Sequence, residues 1–189
     1  MPDFRVIGEA FSTYILVQME NSLLLIDKHA GHERMIYNKL QDRVGGTDSQ
    51  ALLAPESVTL SRPEKNALLE HGEELRQAGF ELEDFGEGTV IVRQVPMYLE
   101  AGDIGYVLSD IAGKLLDKRQ ARADAYDAII KSVSCKAAVK AGTFTDDKER
   151  EKFVAALLAD PQVRSCPHGR PVLFTMTRGD IEKQFKRIL

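Results

Sequence analysis

An apolar run ends and a helical pattern begins within one stretch, Ser22-Leu-Leu-Leu-Ile-Asp27-Lys-His29-Ala-Gly-His-Glu33. This change of pattern is the clearest indication of the fold in the sequence. The apolar run shows no polar alternation, as expected of a strand that is covered on both faces. Asp27 is a good N-cap residue for the helix that follows, and the helical pattern continues to about Val44. The sequence therefore predicts that a buried strand delivers Asp27, His29 and Glu33 to the start of a helix.

Patterns on both sides of this stretch predict an α+β fold with two subdomains. Strand signals at residues 5–7 and 14–17 precede the stretch, and a strand at 172–176 and a last helix close the chain. Residues 47–62 have the composition of an exposed connector. Residues 62–123 have the pattern of a small helix–strand–strand–helix unit, with one continuous helix up to Gly79. We expect residues 1–61 and 124–189 to form one discontinuous subdomain, interrupted by an inserted subdomain at 62–123.

Composition and charge exclude several classes of protein. The chain has 189 residues, 43% of them hydrophobic, which is enough for a core without disulfides. Its longest apolar run has seven residues, whereas a membrane span needs about 20, so we expect no membrane association. The net charge of −4 argues against a strong, independent DNA binder. Without a signal-peptide pattern at the start of the chain, we expect a reducing, cytoplasmic setting.

The polarity of one helix face makes Glu33 a candidate metal ligand. At 100° per residue, Glu33 shares a face with His29 above it and with the apolar Ile36 and Leu40 below it. A carboxylate on a face that turns toward a core is costly unless it is paired or bound to a metal. The alternative is that Glu33 lies exposed in the first turns, where it interacts favourably with the helix dipole.

Two cysteines and one histidine are further candidate ligands. Cys135 lies opposite the apolar stripe of its predicted helix, although a helix buried on both faces would explain it equally. In the loop Cys166-Pro-His168-Gly-Arg-Pro171, a thiolate and an imidazole could bind one zinc ion. The alternatives are a turn with an incidental thiol and a disulfide between Cys135 and Cys166, which a reducing compartment disfavours. Glu33 and these three residues could hold one zinc, with Asp27 and His29 beside it for a second metal.

These motifs resemble those of one family, the C-terminal domain of MutL, the mismatch-repair endonuclease. The segment Asp27-Lys-His29-Ala-Gly-His-Glu33 resembles its DQHA-x-x-E metal motif, and Cys166-Pro-His-Gly-Arg-Pro171 matches its C-P-H-G-R-P motif. The segment Ser134-Cys-Lys-Ala-Ala-Val-Lys-Ala141 is similar to its A-C-K/R-x-A-I/V-K motif. The opening segment from Phe4 and the ending Phe185-Lys-Arg-Ile188 are also similar, so the resemblance follows the family's order over nearly the whole chain.

The resemblance implies an architecture and an activity. The outer segments would form a dimerisation subdomain with a mixed sheet, and the insert would be a regulatory, or external, subdomain. The activity would be metal-dependent nicking of double-stranded DNA by a homodimer. The implied catalytic residues are Asp27, His29 and Glu33. The implied metal ligands are these three residues together with Cys135, Cys166 and His168. Lys136 and Arg170 are implied to contact the phosphate. Zinc would organise the site, and a second ion, Mn²⁺ or Mg²⁺, would be needed for activity. His29 would either help to bind this second ion or act as a general base. Lys136 and Arg170 could equally be ordinary surface charges.

The resemblance also implies partners. The hexapeptide Gln50-Ala-Leu-Leu53-Ala-Pro55 fits the Q-x-x-L-x-P peptide by which the family binds the sliding clamp (the β-clamp), although the same letters could form a plain loop. No nucleotide-binding region precedes Phe4, so we expect a fragment of a bacterial protein whose N-terminal ATPase domain is missing. A mismatch-recognition protein is a further expected partner, and the expected location is cytoplasmic and associated with the nucleoid.

Three departures from the family pattern leave other functions open. Lys28 replaces the usual Gln, Ser134 the usual Ala, and Asn38 the Glu that ends the longer metal motif. The change at Asn38 puts a role for that position in a second metal site in doubt. One alternative is therefore a nuclease-inactive module that dimerises, binds the clamp and holds a structural zinc. Another is an unrelated zinc hydrolase such as a peptidase, but His29-x-x-x-Glu33 is not the H-E-x-x-H pattern.

Overall fold

A computed structural model describes residues 3–42, 48–117, 125–138 and 146–187, and the backbone of 139–141. Contacts divide the chain into a first unit, 1–35 with 138–189, and a second unit, 36–137. The boundaries between the units fall inside two helices. The predicted subdomain bounds at 62 and 123 differ from this division and stay a prediction about functional subdomains.

The described elements are mixed α and β, which confirms the α+β class. The strands are β1 (Phe4–Ala10), β2 (Tyr14–Met19), β3 (Ser22–Asp27), β4 (Ser49–Thr59), β5 (Glu81–Asp84), β6 (Thr89–Pro96) and β7 (Leu173–Thr177). The helices are α1 (Lys28–Gln41), α2 (Arg62–Glu70), α3 (Gly72–Gln77), α4 (Ile104–Leu116), α5 (Ala125–Ala141), α6 (Asp147–Ala159) and α7 (Arg178–Gln184), with a short 3₁₀ turn at Ala101–Asp103. Within these described ranges no helix is long and apolar enough to cross a membrane.

The first unit is built on a four-stranded sheet with the order β1-β2-β3-β7. All its described strand pairs are antiparallel, so the expected mixed sheet is corrected to an antiparallel one. Ile15, Val17, Leu24 and Ile26 line one face and pack with Phe153, Val154 and Leu157 of α6 in a common core. On the opposite face, Gly8, Leu16, Leu25 and Phe174 stand side by side in one row across the four strands.

That opposite face, which we call the open face, is incompletely covered in the single chain. Leu16 and Leu25 are half-buried, and Phe174 is 61% exposed. The expectation that β3 is covered on both faces therefore holds on one face only. An apolar run without alternation implies a cover, and the described part of the chain does not complete it on this side.

The start of α1 follows the sequence prediction. The Asp27 carboxylate accepts a hydrogen bond from the Ala30 backbone N–H at 2.9 Å, which makes it the N-cap. Gly31 lets α1 lie close to α6, because a Cβ at this position would lie 2.8 Å from Phe153 Cζ. The helix ends at Gln41, before the predicted end at Val44, which lies outside the described residues.

The second unit holds a three-stranded antiparallel sheet with the order β4-β6-β5. The predicted connector at 47–62 is wrong over most of its length, because residues 49–59 form β4 and pair with β6. The predicted helix up to Gly79 is two helices, α2 and α3, that meet at His71. Ser61 caps α2 in a capping box with Glu64. The apolar stripe of α4 is buried as predicted.

Candidate metal centre

A closed loop between α6 and β7 carries the Cys166 and His168 pair. The Val172 N–H donates to the Arg164 carbonyl at 3.0 Å, and the Cys166 N–H to the Arg170 carbonyl at 2.8 Å. Gly169 turns the chain with a φ of +83°, where a side chain would be strained. The loop is therefore a tied turn that fixes where its thiol and imidazole lie.

Glu33, Cys166 and His168 come together beside α1. One oxygen of Glu33, the Cys166 Sγ and one ring nitrogen of His168 all lie within 4.8 Å of one another. Glu33 is 4% exposed and Cys166 is 1% exposed, whereas His168 reaches solvent. The alternative that Glu33 lies exposed is therefore wrong, and three of the four predicted zinc ligands converge.

The donor chemistry of this group fits a cation. Glu33 Oε1 lies 2.7 Å from His168 Nδ1, yet the geometry makes no hydrogen bond, and Oε1 is buried without a hydrogen-bond partner among the described residues. An orphaned buried carboxylate oxygen is costly unless a cation compensates it. Carboxylate, thiolate and imidazole are together a set that zinc accepts. These three residues could therefore hold a zinc ion.

Asp27 and His29 lie close by in sequence but do not join that group. Asp27 is half-buried at the end of β3, and its Oδ1 caps α1. His29 is half-buried in the first turn of the helix. Neither residue belongs to the three-donor cluster found in the described part of the chain. Their role in holding a second ion stays a prediction.

Cys135 lies on the part of α5 that belongs to the second unit. It is half-buried, and neither cysteine, both of which are described, forms a disulfide. Ser132, Val133 and Ser134 are consecutive and all buried, so this helix is covered on more than one face. The Ser134 hydroxyl donates to the Lys131 carbonyl at 3.1 Å, which satisfies the polar group that replaces Ala. Cys135 as fourth ligand stays a prediction.

The two predicted phosphate contacts differ in their surroundings. Lys136 Nζ lies 3.1 Å from the Asp103 carboxylate and 4.9 Å from the centre of the Tyr106 ring, so its charge is already engaged. Arg170 is exposed on the Cys166 loop, and its backbone carbonyl accepts the hydrogen bond from the Cys166 N–H. Of the two, Arg170 is the better placed to meet a phosphate.

The clamp motif lies on an irregular part of β4. The pairing of β4 with β6 shifts register between Ala51 and Glu56, so Leu53 and Pro55 fall in the bulge. Both side chains are exposed, Leu53 completely. Gln50 donates its amide to the Leu99 carbonyl at 2.6 Å. The structure thus presents the apolar part of the motif to solvent.

Sequence reasoning missed two charged neighbours of the metal motif. Lys28 pairs with Glu9 of β1 at 2.5 Å, which gives the lysine that replaces Gln a counter-charge. Arg34 donates from Nε to the Ser165 carbonyl at 2.5 Å. The sequence pointed to Lys28 and Arg34 only through their positions inside the metal motif, because their partners Glu9 and Ser165 are distant in sequence.

Comparisons with known proteins agree with the motifs. A family model described as the MutL C terminal dimerisation domain matches residues 7–145. A protein named DNA mismatch repair protein MutL from Geobacter sulfurreducens is 40% identical over 97% of this chain and 31% of its own length. The proteins of the same name from Clostridium botulinum strain Loch Maree and from Halothermothrix orenii are both 34% identical, over 98% and 99% of this chain and 28% and 30% of theirs. The chain spans less than a third of the length of these relatives.

Proposed function

This chain belongs to the family of MutL C-terminal dimerisation domains, and from that premise we propose that it forms a homodimer and nicks double-stranded DNA with the help of bound metal ions. The observation that carries the nuclease proposal is the orphaned Glu33 oxygen beside Cys166 and His168. A buried carboxylate oxygen without a hydrogen-bond partner among the described residues, beside a thiol and an imidazole, supports a bound cation, which the proposed reaction uses. The relatives named as mismatch-repair proteins give the process in which such a nick would serve.

In the proposal, some residues of the site bind the metal ions and others orient the phosphate of the DNA. Glu33, Cys166 and His168 hold zinc in the proposal, and Cys135 is added as the fourth ligand on the resemblance alone. Asp27 and His29 are proposed to hold Mn²⁺ or Mg²⁺, with His29 alternatively a base. Metal ions at such a site polarise a phosphate and supply hydroxide at neutral pH. Arg170, exposed on the same loop, would bind and orient the phosphate. Lys136 would have to release Asp103 to do the same.

The homodimer would form through the open face of the four-stranded sheet. The row Gly8, Leu16, Leu25 and Phe174 is apolar, and Phe174 is largely exposed. A second copy laid on this face would give β3 the cover that its sequence predicts.

We also propose that the clamp binds the β4 bulge. The exposed Leu53 and Pro55 would enter an apolar pocket, and Gln50 would exchange its bond to the Leu99 carbonyl for one to the clamp. The ATPase domain and the mismatch-recognition protein remain predicted partners, and a cytoplasmic, nucleoid-associated location remains a prediction too.

Nicking of supercoiled circular DNA with added Mn²⁺ and clamp tests the nuclease proposal, with D27N as the comparison. Asn is as good an N-cap as Asp, so the variant keeps the bond to Ala30 and the fold but loses the charge. We expect nicking by the parent and a loss of about 100-fold or more in D27N, with the dimer intact. Full activity in D27N would contradict the assignment of Asp27.

A nuclease-inactive module with a structural zinc is the second candidate. It is favoured by the arrangement of the site, since Asp27 and His29 stay out of the three-donor cluster among the described residues. No nicking by the parent, with zinc still bound and the dimer and clamp complex formed, would favour this candidate over the nuclease.

A further inference from the structure

Arg34 makes a hydrogen bond to the loop that supplies two of the three metal donors. Its Nε donates to the Ser165 carbonyl at 2.5 Å, immediately before Cys166. The preceding residue, Glu33, reaches His168 on the other side of the same loop at 2.7 Å. We propose that Arg34 is a positioning residue that holds the Cys166–His168 loop ready for the metal. The proposal rests on the metal site of the proposed function.

The loop is closed on itself, its Cys166 packs in a core that includes Ala30 of α1, and the Arg34 bond joins it to the same helix. Its internal bonds join Cys166 to Arg170 and Arg164 to Val172, which fix the turn's own shape. None of these bonds sets the distance from the turn to Glu33. The Arg34 bond does, because Glu33 and Arg34 are neighbours on one helix and lie about 100° apart around its axis. Arg34 thus ties the loop to α1 beside the carboxylate that its two donors face.

Arg34 cannot itself be a ligand, because a guanidinium keeps its proton and offers no lone pair. Its effect must pass through Cys166 and His168. Metal sites depend on outer partners that hold their ligands in place, and loss of such a partner costs about 10–100-fold in metal affinity. Release of the loop would move both donors together, so we expect an effect in this range.

Three substitutions separate the hydrogen bond from the charge. In R34Q the amide nitrogen stands as many bonds from the backbone as Arg Nε, so the donor is kept and the charge is lost. In R34M a methyl group stands at that place, so the stem is kept without a donor. In R34K the charge is kept, but a methylene replaces Nε opposite the Ser165 carbonyl. R178A, which removes an exposed arginine paired with Glu182, is the control.

The measurements are the zinc dissociation constant, by competition with a chromophoric chelator, and the absorption spectrum of the Co²⁺-loaded chain. We expect R34M and R34K to bind zinc about 10–100-fold more weakly and to show an altered Co²⁺ spectrum. R34Q and R178A should match the parent. The thermal midpoint of each metal-free chain is measured alongside, because a merely structural role would lower the midpoint without changing the affinity or the spectrum.

Each other outcome overturns the proposal in a distinct way. Parent-like zinc binding in R34M, or in R34K if R34M does not fold, would show that the bond does not position the ligands. Weak binding in R34Q with tight binding in R34K would assign the effect to charge. A parent that binds no zinc would remove the metal site itself, and with it the nuclease proposal. In the first two cases the metal site stands and only the role of Arg34 falls.

Discussion

Among the described residues, Glu33 has the surroundings that most clearly indicate a bound cation. An ionised carboxylate removed from water loses several kcal/mol of solvation unless a partner compensates it. Its neighbour His168 lies close but makes no hydrogen bond to it, so the pair offers two electron donors to one cation. The nearby Asp27 carboxylate is only half-buried, and the Ala30 N–H donates a hydrogen bond to one of its oxygens.

The ion pair between Lys65 and Asp84, away from the metal site, allows a test of how one side chain affects the pKa of another. The Lys65 ammonium donates to Asp84 Oδ1 at 2.5 Å and to the Gly86 carbonyl at 2.6 Å. The Lys65 hydrogen bond, followed by the bond from the Gly86 N–H, lowers the pKa of Asp84. A carboxylate whose pKa is lowered by folding stabilises the fold above its unfolded pKa and loses that contribution as the pH falls through the folded value.

We therefore expect K65M to raise the pKa of Asp84 toward its ordinary value and to make the acid side of the stability curve shallower. NMR titration of the side-chain carboxyls measures the pKa, and unfolding between pH 2 and 5, about the range in which carboxylates titrate, measures the slope. The pKa of Asp180, which the Thr177 hydroxyl lowers, should not move and serves as an internal control. An unchanged Asp84 pKa would contradict the account.

Elements whose signals are local could be predicted, and those that depend on distant pairing could not. The cap at Asp27 and the stripe of α4 follow from residues within a few positions of one another. The strand β4 lacks clear alternation, and its partner β6 lies some forty residues on, so only the folded chain reveals it. The break at His71 was missed although Gly72, a poor helix former, opens α3.

The same distinction applies to the candidate site. Donor chemistry picked Glu33, Cys166 and His168 from the sequence. Their convergence is a tertiary fact, because 131 positions separate Arg34 from the Ser165 carbonyl that it anchors. Arg34 itself has no ligand chemistry, so a search for metal donors could not select it.

The bulge in β4 carries the prediction at the scale of elements. Leu53 is fully exposed, so L53A should weaken clamp binding by about tenfold or more without lowering the thermal midpoint. Clamp affinity by surface plasmon resonance and thermal unfolding together test this. F85A removes another exposed apolar side chain of the same unit and should leave clamp binding unchanged. Equal affinity in L53A and the parent would refute a clamp site here.

At the scale of the whole molecule, the open face predicts the oligomeric state. F174D would place a charge at one end of the apolar row of the proposed interface, and the exposed position makes the fold tolerant of it. We expect sedimentation equilibrium to give the mass of two chains for the parent and one for F174D. F85D makes the same substitution at an exposed phenylalanine outside the sheet and should remain dimeric. A dimeric F174D would place the interface elsewhere.

The acidic balance of the chain also bears on its activity. With a net charge of −4 the chain has no excess of cations for phosphate neutralisation. In the proposal, double-stranded DNA would be delivered by the clamp or by the predicted ATPase domain, which is why the nicking assay includes the clamp. A strong salt dependence of nicking with clamp present would accord with delivery through other charged surfaces.

Zinc content per chain tests the central claim most directly, because every proposal about chemistry depends on the three-donor group. Elemental analysis after exhaustive dialysis compares the parent with H168Q and with H71Q, which makes the same change at a histidine outside the group. The account predicts about one zinc ion per chain in the parent and in H71Q, and loss of most of it in H168Q. A zinc-free parent, or an H168Q variant that keeps its zinc, would contradict it.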